Sequence, residues 1–269
     1  MRNSQLVRNM AFSAAAVCAA VSAVACGTDE APTTLTPAPR ETVTVLAASS
    51  LAAVLPEIED AYRLASGGRA VFSFGASGTL ATQVKNGAPA DIVIFAGSAP
   101  MDSLDEDRLI QPGSRRGILT NTLVVIVSSE SDMRLESLAE IADNSTGKIA
   151  IADPSLAPAG QYAQAAMETA GIWDRVSPRV VPTLDVRAAA AAVASGNAEI
   201  AFVYATDALV SDAVRVLFEL PADTYPEISY PAAAIANSDR LDVAGEFLDF
   251  LISPTARAIF TKYGFTPRG

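Results

Sequence analysis

The sequence contains no histidine. Without an imidazole, neither Ser-His-Asp nor Cys-His catalysis can operate, and a histidine metal site is excluded. Cysteine is nearly as scarce, with only Cys18 and Cys26 present. Cys18 falls in an N-terminal apolar stretch of the kind that is removed on export. The part that remains after such removal can hold neither a disulfide framework nor a cysteine metal cluster.

Positive charge is also in short supply. Lys and Arg number 19 against 30 Asp and Glu, which gives a formal net charge of −11. This balance argues against a nucleic-acid partner. The glycine-rich motifs that hold nucleotide phosphates do not occur, and the acidic residues do not follow a calcium-loop spacing. If the ligand is an anion, local dipoles rather than net charge must bind it.

The first 25 residues have the pattern of a secretory signal peptide. Arg2 and Arg8 form a basic start, and residues 10–25 are small or apolar and uncharged. The apolar run is too short for a comfortable membrane span. Both of these arginines leave with the signal, so the mature part carries 17 basic and 30 acidic residues, a net charge of −13.

The residues that follow the signal predict a lipid anchor. Val24-Ala25-Cys26-Gly27 resembles a bacterial lipobox, in which Cys26 becomes the lipidated first residue. Plain signal cleavage near Ala25 is the alternative. Residues 26–41, rich in Pro, Thr and Ala, are predicted to be a tether. The expected location is outside the cytoplasmic membrane, anchored by lipid at Cys26 in the periplasm or on the outer face of that membrane.

From Thr42 onward, strand and helix patterns alternate. Three β–α units occur in the first 65 or so residues of this part, which predicts an α/β fold with a parallel sheet. A strong strand within 119–128 is interpreted as the crossing into a second lobe, and Ser229–Ile235 as the return. The predicted organisation is lobe 1 at 42–119 plus 225–269 and lobe 2 at 120–224.

Four strand-to-helix junctions carry small or polar residues, and they are the candidates for a site. Each alone is typical of an ordinary helix cap. Together, at the carboxyl ends of strands in two α/β halves, they predict a site for a small oxyanion, because helix N-termini offer free N–H groups and partial positive charge. The four junctions are Ser49-Ser50, Ser77-Gly78, Ala159-Gly160 and Asp185-Val186.

These junctions are part of a longer series of motifs from Thr42 to Phe265 that resembles the bacterial periplasmic molybdate-binding proteins of ABC transporters. The series runs in order along the chain. Its members are Ala47-Ala48-Ser49-Ser50-Leu51, Phe74-Gly75-Ala76-Ser77-Gly78-Thr79-Leu80, Gly87-Ala88-Pro89-Ala90-Asp91, Asp153-Pro154 with Pro158-Ala159-Gly160-Gln161-Tyr162, Asp185-Val186-Arg187, Val203-Tyr204 and Tyr263-Gly264-Phe265.

The resemblance implies a type II periplasmic-binding-protein fold, with two α/β lobes, a ligand cleft between them and two crossing strands. It implies that molybdate or tungstate is held by the hydroxyls of Ser50 and Ser77, the backbone amides of Ala159 and Val186, and the hydroxyl of Tyr204. Which of Ser49 and Ser50 faces the ligand stays open. The molybdenum would be bound only as its oxyanion, with no protein–metal bond.

The resemblance further implies a monomeric protein that is not an enzyme, needs no cofactor and hands its ligand to a membrane permease and ATPase. A binding protein for another oxyanion, such as sulfate, is the nearest alternative. A serine hydrolase using Ser77 is a second, opposed by the absence of histidine. A sensory protein that regulates a membrane partner without transport is a third.

Overall fold

The computed structural model describes residues 41–268. The predicted signal peptide at 1–25, the lipidation site Cys26 and the tether at 26–41 lie outside the described residues, apart from Glu41. No helix within the described range is long and apolar enough to cross a membrane.

Strands and helices alternate along most of the chain. The strands are β1 Thr42–Ala48, β2 Arg69–Gly75, β3 Ile92–Ile94, β4 Arg116–Thr120, β5 Leu123–Ser128, β6 Ile149–Ala152, β7 Val180–Thr183, β8 Ile200–Tyr204, β9 Val214–Glu219, β10 Ser229–Ala234 and β11 Thr266–Pro267. The helices are α1 Leu55–Ser66, α2 Ser77–Lys85, α3 Ser98–Glu106, α4 Leu138–Asn144, α5 Pro158–Thr169, α6 Trp173–Val176, α7 Val186–Ala194, α8 Ala205–Leu209, α9 Leu241–Leu251 and α10 Pro254–Lys262. Short 3-10 turns occupy Ser49–Leu51 and Ser177–Arg179.

The first sheet has the strand order β11-β4-β10-β3-β1-β2. Strand β1 pairs in parallel with both β2 and β3, which confirms the parallel sheet predicted from the β–α alternation. The central strand β3 is buried throughout, as its apolar sequence predicts. Strand β10 joins this sheet antiparallel to β3 and β4.

The second sheet has the order β7-β6-β8-β5-β9. Strand β6 is parallel to β7 and β8, whereas β5 runs antiparallel to β8 and β9. The chain passes from the first sheet to the second between β4 and β5, and returns between β9 and β10. Two connections therefore join the sheets.

The strand predicted within 119–128 is present as β5, Leu123–Ser128. The sequence pattern missed β4, which Asn121 and Thr122 separate from β5. Thr120, which the prediction assigns to lobe 2, still pairs with Ser229 in the first sheet. The break has a local cause, because the side-chain oxygen of Asn121 accepts the N–H of Thr122 at 2.9 Å and so turns the chain.

Helix ends follow the expected capping chemistry. The carboxylate of Asp185 accepts the N–H groups of Arg187 and Ala188 at 2.9 and 3.0 Å, as predicted for an N-cap of α7. Helix α1 stops at Gly67, which adopts a left-handed conformation with φ of 72°. The cap at Asp185 fixes where α7 begins after β7, and this sets the position of its free N–H group at the cleft.

Candidate oxyanion-binding site

One small cavity lies between the carboxyl ends of strands from both sheets. Its volume is about 10 Å³, which is far below the range typical of pockets for drug-sized ligands. All five predicted ligand residues line it, namely Ser50, Ser77, Ala159, Val186 and Tyr204. Ser49 lines it too. A cavity of this size suits a small ion rather than a sugar or a peptide.

The hydroxyl of Ser77 is held with its proton free. Its Oγ accepts the backbone N–H of Ala96 at 3.0 Å, and an N–H group cannot accept a bond in return. The Ser77 proton is therefore left to donate. The Oγ of Ser50 lies 3.0 Å from the hydroxyl oxygen of Tyr230, where either atom can be the donor. Both serines are almost fully buried.

Helix α5 brings one backbone donor to the cavity. Pro158 at its first position has no N–H, and the N–H of Gly160 donates to the carbonyl of Ala157 at 3.1 Å. The N–H of Ala159 thus remains available in the first turn. Pro158 also presets the backbone dihedral φ needed to begin the helix.

Helix α7 brings the second backbone donor. Because the side chain of Asp185 takes the N–H groups of Arg187 and Ala188, the N–H of Val186 at the first helical position remains for a ligand. Asp185 itself borders the cavity, but one of its carboxylate oxygens is held by these two bonds. The helix N-terminus also contributes about half a positive charge.

Tyr204 supplies a third type of donor. It ends β8, is 1 % exposed, and its hydroxyl donates a long bond of 3.5 Å to the carbonyl of Ala96. Burial raises the pKa of Tyr204 well above its ordinary value, with the neighbouring Tyr230 adding to the effect, so the hydroxyl stays protonated. A ligand oxygen that offers better geometry can take over this proton.

The cavity is built from donors without formal positive charge. Among its lining residues in the described part of the chain, none is Lys or Arg. Binding there relies on hydroxyls, amides and helix dipoles, as the charge balance of the sequence predicts. Such a site favours an oxyanion that presents only acceptor oxygens, since a protonated oxygen needs an acceptor.

Two glycines of the first lobe allow the second lobe to approach closely over the cavity. The N–H of Gly78 donates to the carbonyl of Leu156 at 2.9 Å, and a Cβ at Gly78 would lie 2.5 Å from that oxygen. A Cβ at Gly97 would lie 2.8 Å from the ring of Pro158, and the φ of Gly97 is 140°. Glycine at both positions permits this close approach of the two lobes.

Comparisons with known proteins decide the family. A sequence model of the family described as bacterial extracellular solute-binding protein matches residues 43–266, nearly the whole described chain. The protein belongs to this family.

Two relatives of this solute-binding protein match most of its length. Molybdate-binding protein ModA of Escherichia coli is 36 % identical over 228 residues, covering 83 % of this chain and 88 % of the relative. A Bacillus subtilis protein described as a putative ABC transporter substrate-binding lipoprotein is 33 % identical over 226 residues, with coverage of 84 % and 86 %.

The solved structures confirm the fold class. The periplasmic molybdate-binding protein of Azotobacter vinelandii superposes with a TM-score of 0.77 at 24 % identity, covering 84 % of this chain and all of that one. The type II periplasmic-binding-protein fold, with two α/β lobes, a cleft and two crossings, is therefore the fold of this solute-binding protein.

Sequence reasoning missed several residues that shape the site. Ala96 lies between β3 and α3, in a strand-to-helix junction of small residues like the four predicted ones. The same sequence pattern could therefore have identified it. Asn121 and Tyr230 carry no local signal, because their contacts to the site come from distant parts of the chain. Asp207 in α8 is a further buried acid near Tyr204.

Asp207 is a buried acid inside this solute-binding protein. It is 5 % exposed, and its Oδ2 has no hydrogen-bond partner among the described residues. Burial raises the pKa of Asp207 from 3.8 to about 7; the charge of Arg187 and the N–H of Tyr204 lower it, and Asp185 raises it further. The folded protein thus binds this proton more tightly than the unfolded chain does.

This predicts a pH-dependent cost in stability. From about pH 4 to about pH 7 the folded state retains a proton that the unfolded state loses, so the free energy of unfolding falls as pH rises. We expect Asp207→Asn to stabilise the protein at pH 8 by about 1–4 kcal/mol and by little at pH 4, as measured by urea unfolding. Asp212→Asn, at an exposed position, is the control and should lack this pH-dependent gain. Equal stability of Asp207→Asn and the parent at both pH values would contradict the prediction.

Proposed function

We propose that this protein captures molybdate, and also tungstate, outside the cytoplasmic membrane and delivers it to an ABC importer. The observation that carries the proposal is the convergence of donors from both lobes on one small cavity. Ser50 and Ser77 contribute from the first lobe. Ala159, Val186 and Tyr204 contribute from the second. Its molybdate-binding relative of 36 % identity supports the choice of ion.

Binding contacts from both lobes stabilise the closed form. An ion held by one lobe alone leaves half of its oxygens without donors, so closure adds bonds that the open form lacks. We propose that residues 42–119 with 225–269 and residues 120–224 move as the two bodies, with the division lying close to the change of sheet after Thr120. We propose that the permease and ATPase recognise the surface of the closed form. The protein acts as a monomer.

Two physical features provide selectivity. The five proposed ligand groups all act as donors, so the proton of hydrogen phosphate finds no acceptor among them, at a cost of about 1–3 kcal/mol for each buried group left unpaired. Cavity size separates molybdate from the smaller sulfate ion, because a smaller ion cannot reach all donors at once. Molybdate and tungstate are nearly equal in size, so the site accepts both.

The proposal includes the cell-surface location. Cleavage before Cys26 and lipidation of that residue would hold the domain at the membrane through the tether at 26–41. The relative described as a substrate-binding lipoprotein supports this arrangement. Mass spectrometry of the protein purified from membranes tests it, since an unmodified N-terminus near Ala25 would contradict it.

Calorimetric titration of the purified protein tests the choice of ligand. Molybdate and tungstate should bind with similar affinity, whereas sulfate and phosphate should bind at least about a hundredfold more weakly, the effect of two or so misplaced hydrogen bonds. Sulfate that displaces molybdate at equal concentration would overturn the assignment. A protein that binds none of the four ions would overturn the proposal as a whole.

A further inference from the structure

The two cavity serines are oriented by different means. The hydroxyl oxygen of Ser77 accepts a backbone N–H, so the direction of that bond is fixed by the main chain. The partner of Ser50 is the hydroxyl of Tyr230, 3.0 Å away, and two hydroxyls can donate in either direction. The direction of this one bond decides whether the Ser50 proton is available to a ligand in the cavity.

Asn121 sets that direction. Its side-chain oxygen accepts the N–H of Thr122 at 2.9 Å, which fixes the orientation of the amide. Its nitrogen then lies 3.2 Å from the hydroxyl oxygen of Tyr230, and an amide nitrogen only donates. The Tyr230 oxygen accepts from Asn121, so its single proton points to the other neighbour, the oxygen of Ser50.

The middle member of this series is held firmly. Tyr230 is fully buried, and its ring packs edge-on against Tyr204 at 6.0 Å and Phe265 at 5.5 Å between centroids. Burial raises the pKa of Tyr230 far above its ordinary value, so the hydroxyl keeps its proton. Because the ring is packed in place and the hydroxyl does not ionise, Tyr230 remains a donor to Ser50.

We propose that Asn121 and Tyr230 are positioning residues whose hydrogen-bond relay, from Asn121 to Tyr230 to Ser50, fixes Ser50 as a donor to the bound oxyanion and so enforces the rejection of protonated oxyanions. This inference rests on the proposed function and deepens it. With the relay in place, the bond from Tyr230 occupies one lone pair of Ser50 and leaves the Ser50 proton to the cavity, so Ser50 meets the ligand as a donor. Without it, the Ser50 hydroxyl can turn and accept.

The relay also depends on the arrangement of the two lobes. Asn121 lies in the first connection between the sheets, and its nitrogen donates as well to the hydroxyl of Thr206 in α8 at 2.9 Å. One amide group therefore bonds Thr206 beside the second sheet and Tyr230 in the first. The arrangement of the lobes in this structure allows both bonds to form, and it thereby sets the direction of the bond to Ser50.

Removal of the Tyr230 hydroxyl is the first test. Tyr230→Phe keeps the ring and its packing but deletes the donor to Ser50. By calorimetry near pH 8, molybdate affinity should fall roughly two- to tenfold, the effect of one neutral hydrogen bond. The ratio of molybdate to phosphate affinity should fall further than molybdate affinity itself, because phosphate gains an acceptor. In a Ser50→Ala background the same change should have no effect on either ion.

Reversal of the relay is the second test. Asn121→Asp replaces the donating nitrogen by an acceptor, so the Tyr230 proton turns to the new carboxylate and Ser50 must donate to Tyr230. Molybdate affinity should fall more than in Tyr230→Phe, by roughly tenfold or more. Most of this loss should vanish in the Ser50→Ala background. A loss caused only by the added negative charge would persist there.

Tyr225→Phe is the matched control. Tyr225 is also buried, and its hydroxyl accepts the N–H of Leu123 near the same connection, at 3.1 Å. This variant should lose stability to a similar degree while keeping the affinity and the ion selectivity of the parent. Thermal unfolding identifies any variant that does not fold, and if Asn121→Asp is one, the Tyr230→Phe cycle alone decides.

The outcomes separate the relay from the proposed function. A parent protein that binds none of the oxyanions overturns both. The relay alone is overturned if the parent binds molybdate but Tyr230→Phe lowers molybdate affinity equally in the presence and absence of Ser50. It is also overturned if Tyr230→Phe leaves the ratio of molybdate to phosphate affinity unchanged. Loss of molybdate affinity that depends on Ser50, together with relaxed rejection of phosphate, supports it.

Discussion

Replacement of both Ser50 and Ser77 by alanine should remove most of the molybdate affinity. Both hydroxyls line the cavity and are almost fully buried. An oxyanion oxygen that loses its donor there has given up its hydrogen bonds to water without gaining one from the protein, and this desolvation lowers the affinity. Each single change should cost about 1–3 kcal/mol, and the double change about 2–6 kcal/mol, which is up to roughly a 10⁴-fold loss. Calorimetry or equilibrium dialysis with molybdate measures it.

Two further serines make the experiment specific. Ser73 is exposed on β2, two residues before Gly75. Ser73→Ala should leave molybdate affinity unchanged. Ser49→Ala tests the neighbour that also lines the cavity. If Ser49→Ala removes more affinity than Ser50→Ala, the ligand assignment of these two residues is reversed. Unchanged affinity of both Ser50→Ala and Ser77→Ala would refute the site. The Ser77 variant also tests the hydrolase alternative, because loss of an ester hydrolase activity would favour it.

A single methyl group at Gly160 should disrupt the second lobe. A Cβ there would lie 1.9 Å from the carbonyl oxygen of Ala152 and 2.9 Å from the nitrogen of Pro154, both backbone atoms that cannot swing aside. The start of α5 must then move away from β6. We expect Gly160→Ala to reduce the free energy of unfolding by about 3 kcal/mol or more, because overpacking against backbone forces such shifts.

Gly160→Ala should also lower molybdate affinity. Gly160 directly follows Ala159, so a displaced first turn carries the Ala159 N–H out of position, and molybdate affinity falls along with stability. Gly245→Ala is the control: it also lies in a helix, α9, where a Cβ meets no atom within 4 Å. This control should be as stable as the parent or gain up to about 1 kcal/mol from helix propensity. Urea unfolding with calorimetry checks both variants, and a Gly160→Ala protein with parental stability would refute the packing argument.

Charge plays an indirect part in this protein. The net charge opposes an anion at long range, and the lining residues of the described cavity offer no Lys or Arg to reverse this. The free energy of binding must then come from short, oriented bonds made as the lobes close. Affinity for the ion should accordingly depend only weakly on salt, while single hydroxyls and amides matter strongly.

Local sequence patterns were sufficient for the positions of the site-forming junctions. The apolar strand before Ser49, the cap at Asp185 and the glycine stops depend on residues a few places apart. Helix α7 begins at Val186, as predicted, and α5 begins at Pro158, two residues before the predicted start near Gly160. The same patterns missed β4, which ends at Thr120 just before the turn at Asn121. The side-chain oxygen of Asn121 accepts the N–H of Thr122 at this turn.

The sequence by itself determined most of the elements, the absence of histidine chemistry and, through the series of motifs, the family and the five candidate ligand residues. Only the tertiary structure decided which of those residues act as hydrogen-bond donors to the cavity. The Ser50–Tyr230 bond joins residues 180 positions apart, and the Asn121–Tyr230 bond spans 109. Caps and periodicities arise from neighbours along the chain, whereas the direction of a buried hydrogen bond depends on whichever groups the packing of two lobes brings into reach.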